Sequence, residues 1–570
     1  MHPKHGRGAL PPSTLSEVFE RYVSEAPSAP AIHPPAAGQA ETLTRAALDQ
    51  EARRFAALCQ DLGVGRNDII VLALDHPLAF AVAFWGAQLA GAPIAPLPRV
   101  AGRGERGAGP SLLARVSEIC RPSLVVTDDD ATGLVPAGAR GAAIVSPTAW
   151  REVDPGLGPV ASPSPTDTAV IQFTSGSTSA PKGCVLSHAA VVSNARAILD
   201  ATRARPMDTG VCWLPLHHDM GLMSGVVTPV VGGASTCLLS PQRFLANPLA
   251  WLTALGAFPR THTAAPNFAL ALVLQRLRHR APASLDLSGV QTILCGAEPI
   301  DADLVSDFLA ACSPYGLPPH ALHAAYGMSE TTVMATSKPG GLAFDEVDDQ
   351  RLQHEKLAVP AARGRRSRRV VSLGTPPPGC AVRILSAQGD PLPERRVGQV
   401  HVRSTSCMVG YLKDPEATAE AIDGDWLRTG DLGYLADGQL FVTGRLKDQI
   451  IVAGRNLSPA DIEYAVARAT GLLTSRIAAV GRPGMLGTEE ICIVVEARAS
   501  EAQGLELLIR KGCYDACGLF PGAIEIVARG GIPRTSSGKI RRLELAGLLR
   551  DGALARAAER EMTPNVTEAT

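Results

Sequence analysis

Hydroxyls, glycines and one lysine are packed into Thr174-Ser-Gly-Ser-Thr-Ser-Ala-Pro-Lys-Gly183, just after the apolar run 169–173 and before a helix that opens near Ser187 and His188. Such a segment suits anionic oxygens, because free backbone N–H groups and hydroxyls converge on them and the lysine adds charge. It is not a Walker loop: Lys182 is followed by Gly183, and the hydroxyls precede the lysine. The chemistry it suggests is handling of a nucleoside triphosphate outside the GTPases and ordinary P-loop ATPases. Composition alone fits a plain turn equally well, so the other motifs decide.

Four of them are compact. Trp213-Leu-Pro-Leu-His-His-Asp-Met-Gly-Leu222 sets two histidines and an aspartate among apolar residues. Tyr326-Gly-Met-Ser-Glu-Thr331 joins an aromatic ring, a carboxylate and two hydroxyls. Trp426-Leu-Arg-Thr-Gly-Asp-Leu-Gly433 reads as an aspartate in a turn, and Arg534-Thr-Ser-Ser-Gly-Lys-Ile-Arg-Arg542 is a second hydroxyl-rich lysine loop. Singly, each has a plain reading. His218 could be a satisfied core histidine, Glu330 or Asp431 a cap or turn residue, and Lys539 a solvated surface lysine.

Short apolar runs and longer amphipathic stretches alternate over the first two-thirds. The runs 68–74, 124–127, 143–145, 236–239 and 291–295 read as buried strands, and 43–62 and 191–202 as helices. This is the pattern of α/β layers on largely parallel sheets. The nearly uncharged stretch 77–98 could pass for a membrane span, but Pro93, Pro96 and two glycines break it, so it reads as a buried helix followed by a strand. From Val370 to Val402 the pattern turns to strands and turns, a smaller β-rich subdomain. After Gly444-Arg-Leu-Lys-Asp448 comes a compact α+β module ending near Leu549, with a tail expected to fray past Glu561. Between Gly340 and Arg369 the sequence is polar and irregular and ends with five arginines in seven residues.

At 570 residues the chain needs two or more domains. A formal net charge of −1 and few aromatic residues argue against a nucleic-acid or membrane partner. The 12 cysteines are scattered without a Cys-x-x-Cys, which reads as buried reduced thiols rather than zinc or disulfide chemistry. With no secretory pattern at Met1 to Gly8, a cytoplasmic location is expected.

Taken in order, the five motifs resemble the adenylate-forming superfamily of acyl-CoA synthetases, luciferases and nonribosomal adenylation domains, from about Leu43 to about Leu549. Within it the chain is most similar to the fatty acyl-AMP ligases. That likeness rests on the Trp213–Leu222 motif, Ala264-Ala-Pro-Asn-Phe268, Cys295-Gly-Ala-Glu-Pro299, Thr336-Ser-Lys-Pro-Gly340 and Gly454-Arg-Asn-Leu-Ser-Pro459. The resemblance implies a large N-terminal domain, 1–446, of parallel-sheet α/β layers plus the β-rich subdomain, and a small mobile α+β C-terminal domain, 447–570. Segment 340–369 lies where the family carries an insertion that restrains the C-terminal domain and disfavours CoA.

The resemblance also implies roles. Thr174, Ser175, Gly176, Ser177, Thr178 and Lys182 would hold the β- and γ-phosphates of ATP; Glu330 would bind Mg²⁺, and Thr331 would contact the α-phosphate. Tyr326 would lie against the adenine, in a nucleotide site that also takes Ala297, Glu298, Gly327 and Met328. Asp431 and Arg445 would bind the ribose hydroxyls. His218 would flank the carboxylate, and Lys539 would bring its charge beside the attacking carboxylate and the α-phosphate. Lys447 matches the hinge, and Gly454 the turn presented for thiol attack. An acyl tunnel could draw on Trp213, Met220, Met223, Val226, Phe268, Leu272 and Met328, residues that would serve equally as core. The expected reaction activates a fatty acid as acyl-adenylate and passes it to an acyl carrier protein in trans, as in polyketide or nonribosomal peptide assembly. An acyl-CoA synthetase, an amino- or aryl-acid activator and a silent acyl-binding scaffold remain open. The arginine run is expected either to dock an acidic carrier or to anchor the insertion on the N-terminal domain.

Overall fold

The computed structural model describes residues 13–35, 41–99, 112–135, 139, 141–155, 161–174, 181–279, 284–452, 455–484, 489–502, 504–534 and 539–554. Ser175, Gly176, Ser177, Thr178, Gly454 and the tail past Glu561 lie outside them.

Two large mixed sheets make up most of the N-terminal part. One runs in the order Thr336–Lys338, Leu322–Tyr326, Val290–Cys295, Thr261–Ala265, Thr209–Cys212, Ser235–Leu238, Pro30–His33, Leu43–Thr44. Its inner pairs are parallel and its two outermost strands antiparallel. The other runs Gly410–Tyr411, Lys182–Ser187, Thr168–Thr174, Ile94–Pro96, Ile70–Ala73, Leu124–Thr127, Ala143–Val145. The expected runs are strands; 70–73 and 124–127 are buried throughout because helices cover the sheet faces, whereas 143–145, expected to be buried, is an edge strand with Ile144 exposed.

The stretch 77–98 forms the helix Pro77–Leu89, started by a proline in its first turn, and the strand Ile94–Pro96. That helix is buried from Phe80 to Leu89, and Trp85 stacks on Phe19 at 4.8 Å. The first helix, Leu15–Glu25, opens with a capping box between Thr14 and Glu17.

A third, antiparallel sheet holds Cys380–Leu385, Gly398–Ser404, Trp426–Ala436, Gln439–Arg445 and Ile422–Asp423. This is the β-rich subdomain. Beyond it, Ile477–Pro483, Glu489–Glu496 and Ala523–Val527 make a three-stranded sheet. Alternate residues of its strands face two cores. Ile477, Ala479, Ile491 and Ile493 pack with Ile462, Val466 and Ile509, while Ala478, Val480, Cys492 and Val494 pack with Leu545. Helices Pro459–Thr470 and Leu505–Cys517 thus cover one face and Arg542–Arg550 the other. The fold is a large α/β N-terminal domain with mixed sheets and a smaller C-terminal α+β subdomain.

Two expectations about local structure need correction. The lysine loop does not run from a strand into a helix. Thr168–Thr174 pairs antiparallel with Lys182–Ser187, so the loop closes a hairpin, with Thr174 opposite Lys182. The helix His188–Thr202, capped by the Ser187 hydroxyl, opens where it was expected; the strand Lys182–Ser187 between the loop and that helix was not. Segment 340–369 is also not irregular. Phe344–Asp348 and Ser367–Val371 form a two-stranded ribbon, joined through the helix Asp349–Glu355. Its apolar minority, Val347, Leu352, Ala358 and Val370, packs on Tyr434, Ala436 and Phe441. These few residues are too widely spaced to show as a period in the sequence.

Candidate functional site

The motifs meet at one cleft of about 1400 Å³, walled by Thr174, His217, His218, Asp219, Ala297, Glu298, Tyr326, Gly327, Met328, Glu330, Asp431, Arg445 and Lys539 among others. Residues more than 350 apart in sequence therefore share one space.

Asp431 lies inside the strand Trp426–Ala436 rather than in a turn, directly opposite Arg445 on the neighbouring strand. Gly430, at φ +74°, supplies the irregularity that made the segment look like a turn. Asp431 is 4 % exposed, accepts the Tyr326 hydroxyl at 2.7 Å and pairs with Arg445 Nε at 2.8 Å. Burial, with the Asp431 charge beside it, pushes the Tyr326 phenol well above its ordinary value, so Tyr326 remains a donor. Arg445 is held further into its charged form by Asp431.

Tyr326-Gly-Met-Ser-Glu-Thr331 makes a tight turn at the end of the strand Leu322–Tyr326. A Cβ at Gly327 would stand 1.8 Å from the Val333 carbonyl oxygen, so only glycine fits. Thr331 is fully buried, and its hydroxyl donates to the Met328 carbonyl at 2.9 Å, closing its own turn. Thr332 follows at φ +67° and Ala297 sits at φ +69°, both in the left-handed region that costs a side-chain-bearing residue energy.

Glu330 accepts the Tyr411 hydroxyl at 2.8 Å, and the Lys182 ammonium stands over the Tyr411 ring at 5.1 Å. Tyr411 is on a two-residue strand beside Lys182–Ser187. It links the lysine loop to Glu330, and no motif in the sequence pointed to it.

His218 Nδ1 lies 2.7 Å from Asp219 Oδ1, and the Ser329 hydroxyl donates to Asp219 Oδ2 at 2.6 Å. Burial pushes the Asp219 carboxyl up, but His218, the Lys539 charge and Ser329 outweigh it and hold the group below the usual carboxylate range. Burial, helped by His218, pushes the neighbouring His217 down to about 3, so it is neutral at ordinary pH. Glu298 is tied to the apolar side of the cleft. Its carboxylate accepts the Phe268 N–H at 2.9 Å, and burial raises it above the ordinary value while the Lys539 charge opposes.

Of the acyl-tunnel candidates, Trp213, Met220, Met223, Phe268 and Met328 wall the cleft. Val226 is in the main core and Leu272 packs against it, away from the cleft wall. Leu245, Ala271 and Leu294 complete the apolar side. Trp213 is stacked on Phe244 at 3.7 Å, which fixes that wall. Lys447 is an exposed residue in the short turn Leu446–Asp448, between the β-rich subdomain and the C-terminal part.

Three arginines of segment 340–369 bridge to other parts of the chain. Arg366 donates to the Asp515 and Ala516 carbonyls and pairs with Asp349 at 3.1 Å. Arg368 pairs with Asp461 at 2.9 Å, and Arg369 with Asp303 on the N-terminal side. From the C-terminal side, Arg455 donates to Gln353 of that segment at 3.1 Å. Anchoring on the N-terminal domain is thus one half of the arrangement; binding the C-terminal subdomain is the other. Among the described residues, no helix is long and apolar enough to cross a membrane and no cluster of three or more His, Cys, Asp or Glu could hold a metal.

Residues 19–412 match the AMP-binding enzyme family. The chain is 33 % identical over 543 residues to the long-chain-fatty-acid–AMP ligase FadD26 of Mycobacterium tuberculosis, covering 89 % of this chain and 91 % of the relative. It is 32 % identical over 545 residues to the medium-chain-fatty-acid–[acyl-carrier-protein] ligase JamA of Moorena producens, covering 88 % and 89 %. Among solved structures, one from work on fatty acyl-adenylate ligases of E. coli and L. pneumophila superposes with a TM-score of 0.86 at 30 % identity, covering 95 % of this chain and 98 % of that one.

Proposed function

The chain belongs to the AMP-binding, adenylate-forming enzymes of fatty acyl-AMP ligase type, and on that premise we propose that it activates a fatty acid with ATP and passes the acyl group to a carrier protein. In the first step a carboxylate oxygen attacks the α-phosphorus of ATP; the bond to the β-phosphate oxygen breaks, and acyl-AMP and pyrophosphate form. In the second the phosphopantetheine thiol of a carrier attacks the acyl carbon, AMP leaves and the thiol proton is lost. The observation that carries the first step is the convergence of Asp431, Arg445, Tyr326, Glu330, His218 and Lys539 on one cleft.

The two anions of the first step repel, so positive charge must be delivered where they meet. Lys539 is exposed and close enough to depress Asp219 electrostatically, which suits delivery beside the carboxylate. Asp431 has two oxygens aimed at hydroxyl-bearing and cationic partners, the chemistry a ribose diol needs. Thr174 and Lys182 flank the phosphate loop. Glu330 provides a hard oxygen ligand suited to Mg²⁺, which would complete its shell with phosphate oxygens and neutralise their charge. Contact between Thr331 and the α-phosphate requires its hydroxyl to give up the Met328 carbonyl.

A carrier rather than CoA is favoured by the insertion, whose Arg366, Arg368 and Gln353 hold the C-terminal subdomain. The acceptor is tested by incubating the protein with ATP, Mg²⁺ and a panel of fatty acids, with either CoA or a phosphopantetheinylated carrier protein. Acyl-adenylate and acyl-carrier without acyl-CoA is the expected mass-spectrometric result. Abundant acyl-CoA makes the chain an acyl-CoA synthetase instead.

A further inference from the structure

From the helix Pro459–Thr470 of the C-terminal subdomain, the Tyr464 side chain reaches the N-terminal wall of the cleft. The Tyr464 hydroxyl donates to the Pro299 carbonyl and accepts the Asn267 amide at 3.1 Å, and Asn267 also donates to Pro299 O at 2.6 Å. These three groups close a triangle. Two of its corners carry the substrate wall: Asn267 is followed by Phe268 in the cleft lining, and Pro299 ends the segment that holds Ala297 and Glu298. Asn267 is 4 % exposed. Burial, with Glu298 and Asp301 nearby, keeps the Tyr464 phenol protonated and therefore a donor.

The residue before it is tied to the catalytic loop. Glu463 accepts Arg542 at 2.7 and 2.8 Å and the Ala479 N–H at 2.9 Å. Arg542 is three residues beyond Lys539. One continuous set of bonds therefore runs from the Lys539 loop through Arg542, Glu463 and Tyr464 to Pro299 and Asn267. Another contact at this boundary, the ion pair Arg468–Asp303, has side chains 55 % and 46 % exposed. Such pairs tolerate sliding; a hydroxyl that at once donates to a backbone carbonyl and accepts from the 4 % exposed Asn267 side chain has a narrower geometry.

We infer that Tyr464 is a positioning residue: its hydroxyl sets the C-terminal subdomain against Asn267 and Pro299 so that Lys539 faces the reacting atoms. The inference rests on the proposed adenylation reaction. Because Lys539 acts in adenylate formation and not in holding substrate, loss of the hydroxyl lowers turnover and leaves substrate affinity alone.

The test is Tyr464→Phe, which keeps the ring and its packing. ATP–pyrophosphate exchange with a fatty acid gives kcat and KM, and a pair of spectroscopic labels at exposed Asp200 and Leu507 gives the distance between the two parts. The expected result is a fall in kcat of about tenfold, KM values for ATP and acid within about twofold, and a broadened label distance. Arg468→Ala removes an exposed bond at the same boundary and is expected to leave all three within about twofold. Unchanged kcat and distance in Tyr464→Phe overturn the inference, as does a loss confined to KM or an equal effect from Arg468→Ala. Absence of exchange in the unaltered protein defeats the adenylation reading instead, and the label distance then decides Tyr464 alone.

Discussion

Asp431 and Asp303 each hold two partners, and the difference between them separates the two regions of the molecule. Asp431, 4 % exposed, takes Tyr326 and Arg445 across a strand pair inside the cleft. Asp303, with a side chain 46 % exposed, takes Arg369 of segment 340–369 and Arg468 of the C-terminal subdomain. The first carboxylate is shielded from water, so its geometry is fixed and loss of one partner leaves charge poorly solvated. The second is in solvent, where ion pairs are weak and reform easily. The cleft carboxylate thus sits where bonds are costly to break, and the Asp303 pairs sit where they are cheap.

The strongest way to break this contrast is Lys539→Ala. Lys539 is exposed, so the variant is expected to melt like the unaltered protein, while pyrophosphate exchange falls on the order of a hundredfold or more. A large fall in melting temperature with little change in exchange would place Lys539 in the fabric of the fold. Next comes the pair of carboxylates itself. Asp431→Asn is expected to lose roughly 1–3 kcal/mol of stability and to weaken nucleotide binding, whereas Asp303→Asn is expected to stay within about 1 kcal/mol. Denaturant melts of the two variants check the order; equal losses erase the distinction.

Acid sharpens the contrast differently. Burial depresses His188 and His323 to about 4, and His217, also beside His218, to about 3, whereas no histidine follows His401. Below about pH 6.5 the unfolded chain protonates these side chains and the folded one does not, so stability present above that pH is lost as it falls toward 4. The slope approaches about 1.4 kcal/mol per pH unit for each histidine. Between pH 7 and 5, hydrogen exchange is therefore expected to rise through the N-terminal sheets more than in residues 477–496. Uniform loosening of both regions is the contrary result. The smallest effect belongs to the insertion: replacing Arg366, Arg368 and Arg369 by serine is expected to raise acyl-CoA formation a few-fold and to blunt its salt dependence. Products unchanged at low and high salt would show that these pairs do not govern the acceptor.

Much of this was legible beforehand, for particular reasons. Continuous apolar runs such as 70–73 and 124–127 mark strands buried on both faces, and Pro77 with Pro93 and Pro96 bounds a helix–strand unit that only resembled a membrane span. Cleft residues with local signatures were found. What escaped was set by partners distant in the chain. Tyr411 acquires meaning only beside Glu330, and Tyr464 only against Pro299. Segment 340–369 hid its ribbon because most of its side chains face water or charge, which leaves no apolar alternation to read.

The hairpin that carries the lysine loop has a practical meaning for anyone rebuilding this protein. Six residue pairs, Thr168↔Ser187 to Thr174↔Lys182, pin the ladder below the tip. A loop supported this way can be lengthened by a few residues at little entropic cost, since closure entropy grows only with the logarithm of length. Shifting the ladder by one residue is a different matter, because it would turn Ile171 and Phe173 out of their apolar cluster and send Lys182 to the opposite face. Variation for new phosphate-bearing substrates is therefore best confined to the tip, with both strands left untouched.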